Sequence, residues 1–274
     1  MLSLRILTAI VLIVPAMLAL FYLSPAWVAA YFGLFIAGGA WEWTALIGLG
    51  SRLARLGYTA ALMLTGAAII AGGPQWATLT FALAALGWTL ILIEMIRHPQ
   101  VNGGWLHRGL VPHVTGFVVL VPPLVAVYSL HAIDPSRPAL LLFALVLVWV
   151  ADSVAYFAGH FFGRTKLAPS ISPGKTVEGV IGGLLGVALL AWLGSLLIWR
   201  YGGADLGWWL TVALVAALYS VLGDLLESKF KRAAGVKDSG HLLPGHGGVL
   251  DRIDATTAAL PIFALAWQLL IAMR

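Results

Sequence analysis

Residues 138–162 run PALLLFALVLVWVADSVAYFAGHFF, and in that stretch the only formally charged side chain is Asp152. A helix needs about 20 apolar residues to cross the ~30 Å hydrocarbon core of a bilayer, and this stretch supplies them. Similar runs recur at approximately 4–22, 26–48, 56–72, 76–96, 112–131, 178–199, 206–228 and 252–272. With 138–162 they predict about nine crossings. Helices are expected, because a spanning segment must satisfy its own backbone and the alternation of a β-barrel is absent. The expected fold is therefore all-α, a polytopic integral membrane protein in which residues 1–274 form one membrane domain. Pro122 and Pro123 fall in the middle of the 112–131 span.

Composition agrees. The chain is 61% hydrophobic and 10% charged, with a mean hydropathy of +0.97. A soluble domain is about 45–50% apolar and about 25% charged, so a water-covered globule is excluded. Cysteine is absent, which removes disulfides, thiolate metal sites and a cysteine nucleophile. The net charge of +5 reads in a membrane protein as basic cytoplasmic loops and not as a nucleic-acid surface. The start, MLSLRILTAIVLIVPAMLAL followed by SPAWVAA, resembles a signal peptide with a small-residue cleavage site. Its apolar run is longer than a signal core and further spans follow at once, so an uncleaved first helix is expected.

Nine crossings place the loops after spans two, four, six and eight on the N-terminal side. Arg5, Arg52, Arg55, Arg97, Arg108, Arg164, Lys166, Lys175, Lys229, Lys231, Arg232, Lys237 and Arg252 gather there, against Arg137, Arg200 and Arg274 opposite. Lys/Arg bias marks the cytoplasmic side. The opposite loops YLSP, GGPQ, HAIDPSRP and RYGGADLG are short turn sequences with little room for a site.

Three polar regions approach the basic face. The first surrounds Asp152, whose charge costs about 2.5–3.5 kcal/mol near a helix centre and therefore needs a partner or a polar cavity. The second is SISPGKTVEGVIGG, residues 170–183. Pro173 and Gly174 suggest a turn, Thr176 a cap, and Glu178 the first turn of the next helix. Lys175 beside that helix start fits an anion, although the P-loop spacing is missing. Gly179 with Gly183, and Gly182 with Gly186, read as helix-packing surfaces. The third is GDLLESKFKRAAGVKDSGHLLPGHGGVLDRID, residues 223–254. Asp224, Glu227 and Ser228 share one helix face, and so do Asp251 and Asp254. Lys229, Lys231, Arg232 and Lys237 are by themselves a topology signal or an anionic-lipid contact. Gly245, Gly247 and Gly248 opening the last helix suggest a phosphate cradle. Carboxylates beside bound phosphate favour magnesium. His246 suits a hydrogen bond to phosphate or carboxylate better than a general base, because a phosphate nucleophile is already ionised. His241 reads as a loop residue, and Trp105, His107 and Arg108 as an interfacial segment. Together the residues describe phosphoryl or nucleotidyl transfer at a membrane surface.

Residues 228–254 resemble the signature of the phosphatidate cytidylyltransferases, or CDP-diacylglycerol synthases. The matching positions are Ser228, Lys231, Arg232, Lys237, Asp238, Pro244, His246, Gly247, Gly248, Asp251, Arg252 and Asp254. Upstream, Asp152, Ala155, Tyr156, Gly159, Phe162 and Gly163 resemble a second family segment. Ser172, Pro173, Lys175, Thr176, Glu178 and Gly179 resemble a third. His160 stands where the family favours a lysine or arginine, and Gly174 where a lysine is frequent. The resemblance covers the C-terminal half, the expected catalytic half at about 138–274.

That resemblance implies condensation of CTP with phosphatidate to CDP-diacylglycerol and pyrophosphate, for phospholipid synthesis at the bacterial inner membrane. It implies Mg2+, with a second cation left open, and a homodimer without nucleic acid. The expected catalytic groups are Asp224, Asp251, Asp254, His246 and Lys237, the three aspartates holding metal. Lys175, Ser228, Lys231, Arg232, Gly247, Gly248, Arg252, Ser172, Thr176, Asp152 and Glu178 are expected on substrate. Two other readings stand beside it, a CTP-dependent kinase of a polyprenol-type alcohol and a transporter. The transporter is disfavoured because charges gather at one face and no repeat is visible.

Overall fold

A computed structural model describes residues 2–136, 138–243, 245 and 247–272, with the backbone alone for 2–10. Among them the chain forms nine α-helices. In order these are α1 (Leu2–Tyr22), α2 (Pro25–Leu46), α3 (Arg52–Gly72), α4 (Pro74–Arg97), α5 (Val111–Ile133), α6 (Ala139–Phe162), α7 (Val177–Gly194), α8 (Gly203–Ala233) and α9 (Leu250–Ala272). Each expected span falls on one helix. Helices α3 to α9 are long and apolar enough to cross a membrane. Helix α2 falls below that measure, carrying Trp41, Glu42 and Trp43 near its end. In α1 the described apolar stretch is Val11–Tyr22. Large apolar side chains point outward, among them Leu34, Leu53, Leu64, Leu185 and Leu197. So much exposed apolar surface suits lipid and not water. The protein is an integral membrane protein.

Three boundaries differ from the sequence reading. Helix α8 continues past 228 to Ala233, so Lys229, Lys231 and Arg232 lie within it. Helix α7 gives way to one π turn, Ser195–Trp199, closed by Arg200 at φ 54°. Pro173 and Gly174 are not a turn. They lie in strand β2 (Ser172–Thr176), which pairs antiparallel with β1 (Lys166–Ala168), and the chain reverses between the two strands. In so short a hairpin a proline costs no ladder hydrogen bond when its missing N–H faces outward. Buried Ile171 donates its amide to Ala168 and pins the reversal. Thr176 does cap α7, accepting the Gly179 amide at 3.1 Å.

Helix α5 runs unbroken through Pro122 and Pro123, both buried. Surrounding helices re-satisfy a proline-interrupted backbone in a membrane protein, and α5 is packed by α2, α3, α4 and α9. Trp43 and Tyr58 reach its first turn, donating to the carbonyls of Pro112 and His113.

The basic loops meet at one end of the bundle. Glu42, at the end of α2, bonds the loop before α9. The ammonium of fully buried Lys229 donates to the His98 carbonyl in the α4–α5 loop at 2.6 Å. Lys175, in the α6–α7 hairpin, pairs with Asp224 on α8. That α4–α5 loop is folded inward more than expected. Leu106 is fully buried, and the His107 ring packs 4.6 Å from that of Phe230. Burial and the nearby Lys229 push the His107 pKa below its ordinary value. At the far end, His131 meets the Leu20 carbonyl and Thr78 meets Gln268.

Candidate active site

A cavity of about 600 Å³ opens at the end where the basic loops meet, between α6, the β1–β2 hairpin, α7, α8 and α9. It is lined by Asp152, Ser172, Lys175, Thr176, Asp224, Asp251 and Asp254. All seven are residues the sequence singles out. Two close approaches build it. At Gly223, a side chain would overlap the carbonyl oxygen of Asp254, so glycine lets α8 and α9 touch where their aspartates sit. On the other wall α7 lies against α6 through the small-residue face anticipated above. A Cβ at Gly179 would come 2.8 Å from the Ala155 carbonyl, and one at Gly183 would come 2.8 Å from that of Ala151.

The charges are arranged in two linked groups. Lys175 Nζ lies 2.7 Å from Asp224 Oδ2, and Ser228 donates to Asp224 Oδ1 at 3.2 Å. Lys231 Nζ bridges Glu227 Oε2 and Asp251 Oδ1, at 2.6 Å to each. The other oxygen of Asp251 accepts the amides of Ser239 (3.0 Å) and Gly248 (2.8 Å). Asp254 accepts the Ala255 amide at 2.7 Å and lies within electrostatic reach of Asp224. Asp152 opens onto the cavity instead of packing against a neighbouring helix. Five carboxylates, counting Glu227, thus face Lys166, Lys175 and Lys231. The formal excess is negative even before a phosphate enters.

A family model described as "Cytidylyltransferase family" matches residues 3–270. The chain belongs to that family. A phosphatidate cytidylyltransferase of Pseudomonas aeruginosa is 41% identical over 272 residues, covering 97% of each chain. One of Haemophilus influenzae is 39% identical over 284 residues, covering 96% of this chain and 98% of its own. One of Brucella abortus is 38% identical over 227 residues, covering 82% and 78%.

In this family member the other described residues expected at the site do not line the cavity. Glu178 accepts the amides of Arg164 and Thr165 and so closes the hairpin onto α7. Arg232 donates to the Val236 carbonyl at 3.0 Å, and Lys237 is exposed in the following loop. Arg252 lies on the opposite side of α9, along an apolar groove with Leu12, Phe35 and Thr256. His246 lies outside the described residues, as does Pro244. The glycine turn differs from the expected phosphate cradle. Gly248 gives its amide to Asp251, while Val249 and Leu250 give theirs to Glu42 at 3.0 and 2.8 Å. These three amides at the start of α9 are already matched by protein carboxylates.

Sequence reasoning missed Lys166, Tyr156 and His160 as lining residues, and Glu42 and Ser239 behind the wall. Glu42 was findable. The insertion cost that drew notice to Asp152 applies equally to a lone acid among tryptophans. Its partner, 197 positions away, was not.

Among the described residues, no group of three His, Asp or Glu is placed to hold a metal ion by itself. Magnesium usually takes one or two carboxylates and completes its shell with water and substrate phosphates. Asp224 and Asp254 fit that role. Beside them lies the buried Glu227 carboxyl, whose Oε2 takes Lys231 and which also meets Asp254. Asp251 fits less well, since it is held by Lys231 and by two backbone amides of the turn, where Asp224 is held by the Lys175 and Ser228 side chains alone.

Proposed function

We propose that this protein condenses CTP with phosphatidate to give CDP-diacylglycerol and pyrophosphate, at the cytoplasmic face of a bacterial inner membrane. The observation that carries the reading is the single cavity in which Lys166 and Lys175 face Asp224 and Asp254, in a chain 41% identical to a phosphatidate cytidylyltransferase. Its place at one end of a lipid-embedded bundle suits a reaction between a membrane lipid and a soluble nucleotide.

An oxygen of the phosphatidate phosphate attacks the α-phosphorus of CTP. The bond from that phosphorus to the bridging oxygen breaks in line, and pyrophosphate leaves with the electron pair. The nucleophile is already ionised, so no general base is required, and the site works by positioning and neutralising charge. Lys175, held toward the cavity by Asp224, and Lys166 on the hairpin receive phosphate oxygens. Gly159, Gly163 and Gly179 lie on the cavity wall, where their missing side chains let α6 and α7 close tightly around Thr176. Lys231 and the turn amides hold Asp251 rigid at the cavity wall. Asp224 and Asp254 would hold Mg2+, which when bound supplies the positive charge that a triphosphate and these carboxylates together lack. The active form is a homodimer.

Purified protein incubated with radiolabelled CTP and phosphatidate should form labelled CDP-diacylglycerol and release pyrophosphate, and removal of Mg2+ should stop it. Transfer of the γ-phosphate to a polyprenol-type alcohol, leaving CDP, would instead establish the kinase reading.

A further inference from the structure

We infer that Glu42, on α2 in the half of the chain outside the family signature, is a positioning residue for this reaction. The inference rests on the function proposed above for the same cavity. Glu42 is 3% exposed, yet both its oxygens are engaged. Oε1 accepts the Val249 amide at 3.0 Å, and Oε2 accepts the Leu250 amide at 2.8 Å and the Ser239 hydroxyl at 2.9 Å. A buried carboxylate is retained only when its acceptors are filled, and here all three donors come from the segment that carries the catalytic aspartates.

The contact continues to the cavity. Ser239 Oγ, fixed by Glu42, accepts the Asp251 amide at 3.3 Å, and the Ser239 amide donates to Asp251 Oδ2. Asp251 in turn holds Lys231, which holds Glu227. Asp254 follows one turn later on α9. Glu42 therefore sets where α9 begins and how it is rotated, and with that the approach of Asp254 to Asp224. It also accounts for two glycines. A Cβ at Gly240 or Gly248 would strike the Glu42 carboxylate. Negative charge at a helix N-terminus is favourable, and this one comes from the protein itself. Substrate phosphate is accordingly directed to the lysine side of the cavity and away from the first turn of α9.

Glu42→Gln keeps the size of the side chain but turns an amide NH2 toward backbone N–H donors. Ser239→Ala removes only the link from Glu42 to Asp251 and is the gentler variant. Both should lower kcat by about 10- to 100-fold, the cost of a small misplacement at a reacting centre, with KM for CTP little changed. Hydrogen exchange on the same purified proteins reads the geometry without an assay. Amides 248–251 should exchange about tenfold faster, while α6 and α7 keep parental rates. Unchanged exchange at 248–251 in both variants overturns the inference, and so does faster exchange with parental kcat, which would leave Glu42 a stability element alone. If the parent forms no CDP-diacylglycerol, the substrate reading falls, while the exchange result still decides whether Glu42 holds the turn.

Discussion

Asp224 takes only the Lys175 and Ser228 side chains and Asp254 one backbone amide and the Glu227 carboxyl, whereas Asp251 takes Lys231 and two backbone amides, so the three aspartates should respond differently to the same substitution. Asp224→Asn and Asp254→Asn keep shape and remove charge. Each should lose about 3–4 kcal/mol of transition-state stabilisation, roughly 10²–10³ in kcat/KM, while melting as the parent does in detergent. Asp251→Asn presents an amide to Lys231 or to two backbone donors and leaves a buried ion pair half broken. It should therefore lose stability as well as rate, by about 3 kcal/mol, visible as a lower melting temperature. Equal melting temperatures for all three would return Asp251 to the metal. Lys175→Ala should raise the apparent KM for CTP or phosphatidate several-fold. Parental KM and kcat in that variant would reduce Lys175 to a topology signal. The spacing of acids on one helix face made these residues legible in the sequence. The division of labour among them was not, because it depends on Lys231, Ser239 and Gly248, whose bonds are set by the fold of the loop.

At the scale of elements, the helices were legible because the bilayer allows little else, and the smaller features were not. The β1–β2 hairpin escaped notice because Ser-Pro-Gly is turn chemistry by composition, and pairing with residues 166–168 overrides it. The α6–α7 contact was legible as two small-xxx-small pairs, and it makes a prediction about the site. Gly183 lies where a Cβ would press on the Ala151 carbonyl. Gly183→Leu should push the helices apart, costing about 1–3 kcal/mol by overpacking, and should move Asp152 away from Lys175. Thermal melting and turnover should fall together. Gly57→Ala, on α3 with open space around its position, is the matched control and should be no less stable than the parent, since alanine favours a helix interior over glycine by up to about 1 kcal/mol.

For the whole molecule, the loops that meet at the cavity are those the charge bias assigns to one side. The bonds from Glu42 to the α8–α9 loop, from Lys229 to the α4–α5 loop and from Lys175 to α8 join them at one end. Leu20 with His131, and Thr78 with Gln268, mark the other. Of the sixteen Lys and Arg, Arg137, Arg200 and Arg274 alone belong to the far side by this count. Lys/Arg bias near helix ends sets orientation, so the cavity end should face the cytoplasm, where CTP is. Nine helices of alternating direction then carry the C-terminus across. A reporter active only after export, fused behind Arg274, should be active, and the same reporter placed in the 234–243 loop should be silent. Swapping in a reporter that works only in the cytoplasm should reverse both signals. A cytoplasmic signal behind Arg274 with the loop also cytoplasmic would mean that one helix fails to cross. Suspicion would then fall on α2, whose tryptophans and Glu42 keep it below the measure that α3 to α9 meet. Export of the loop itself would invert the whole bundle and separate the cavity from its nucleotide, and the proposed reaction would fall with it.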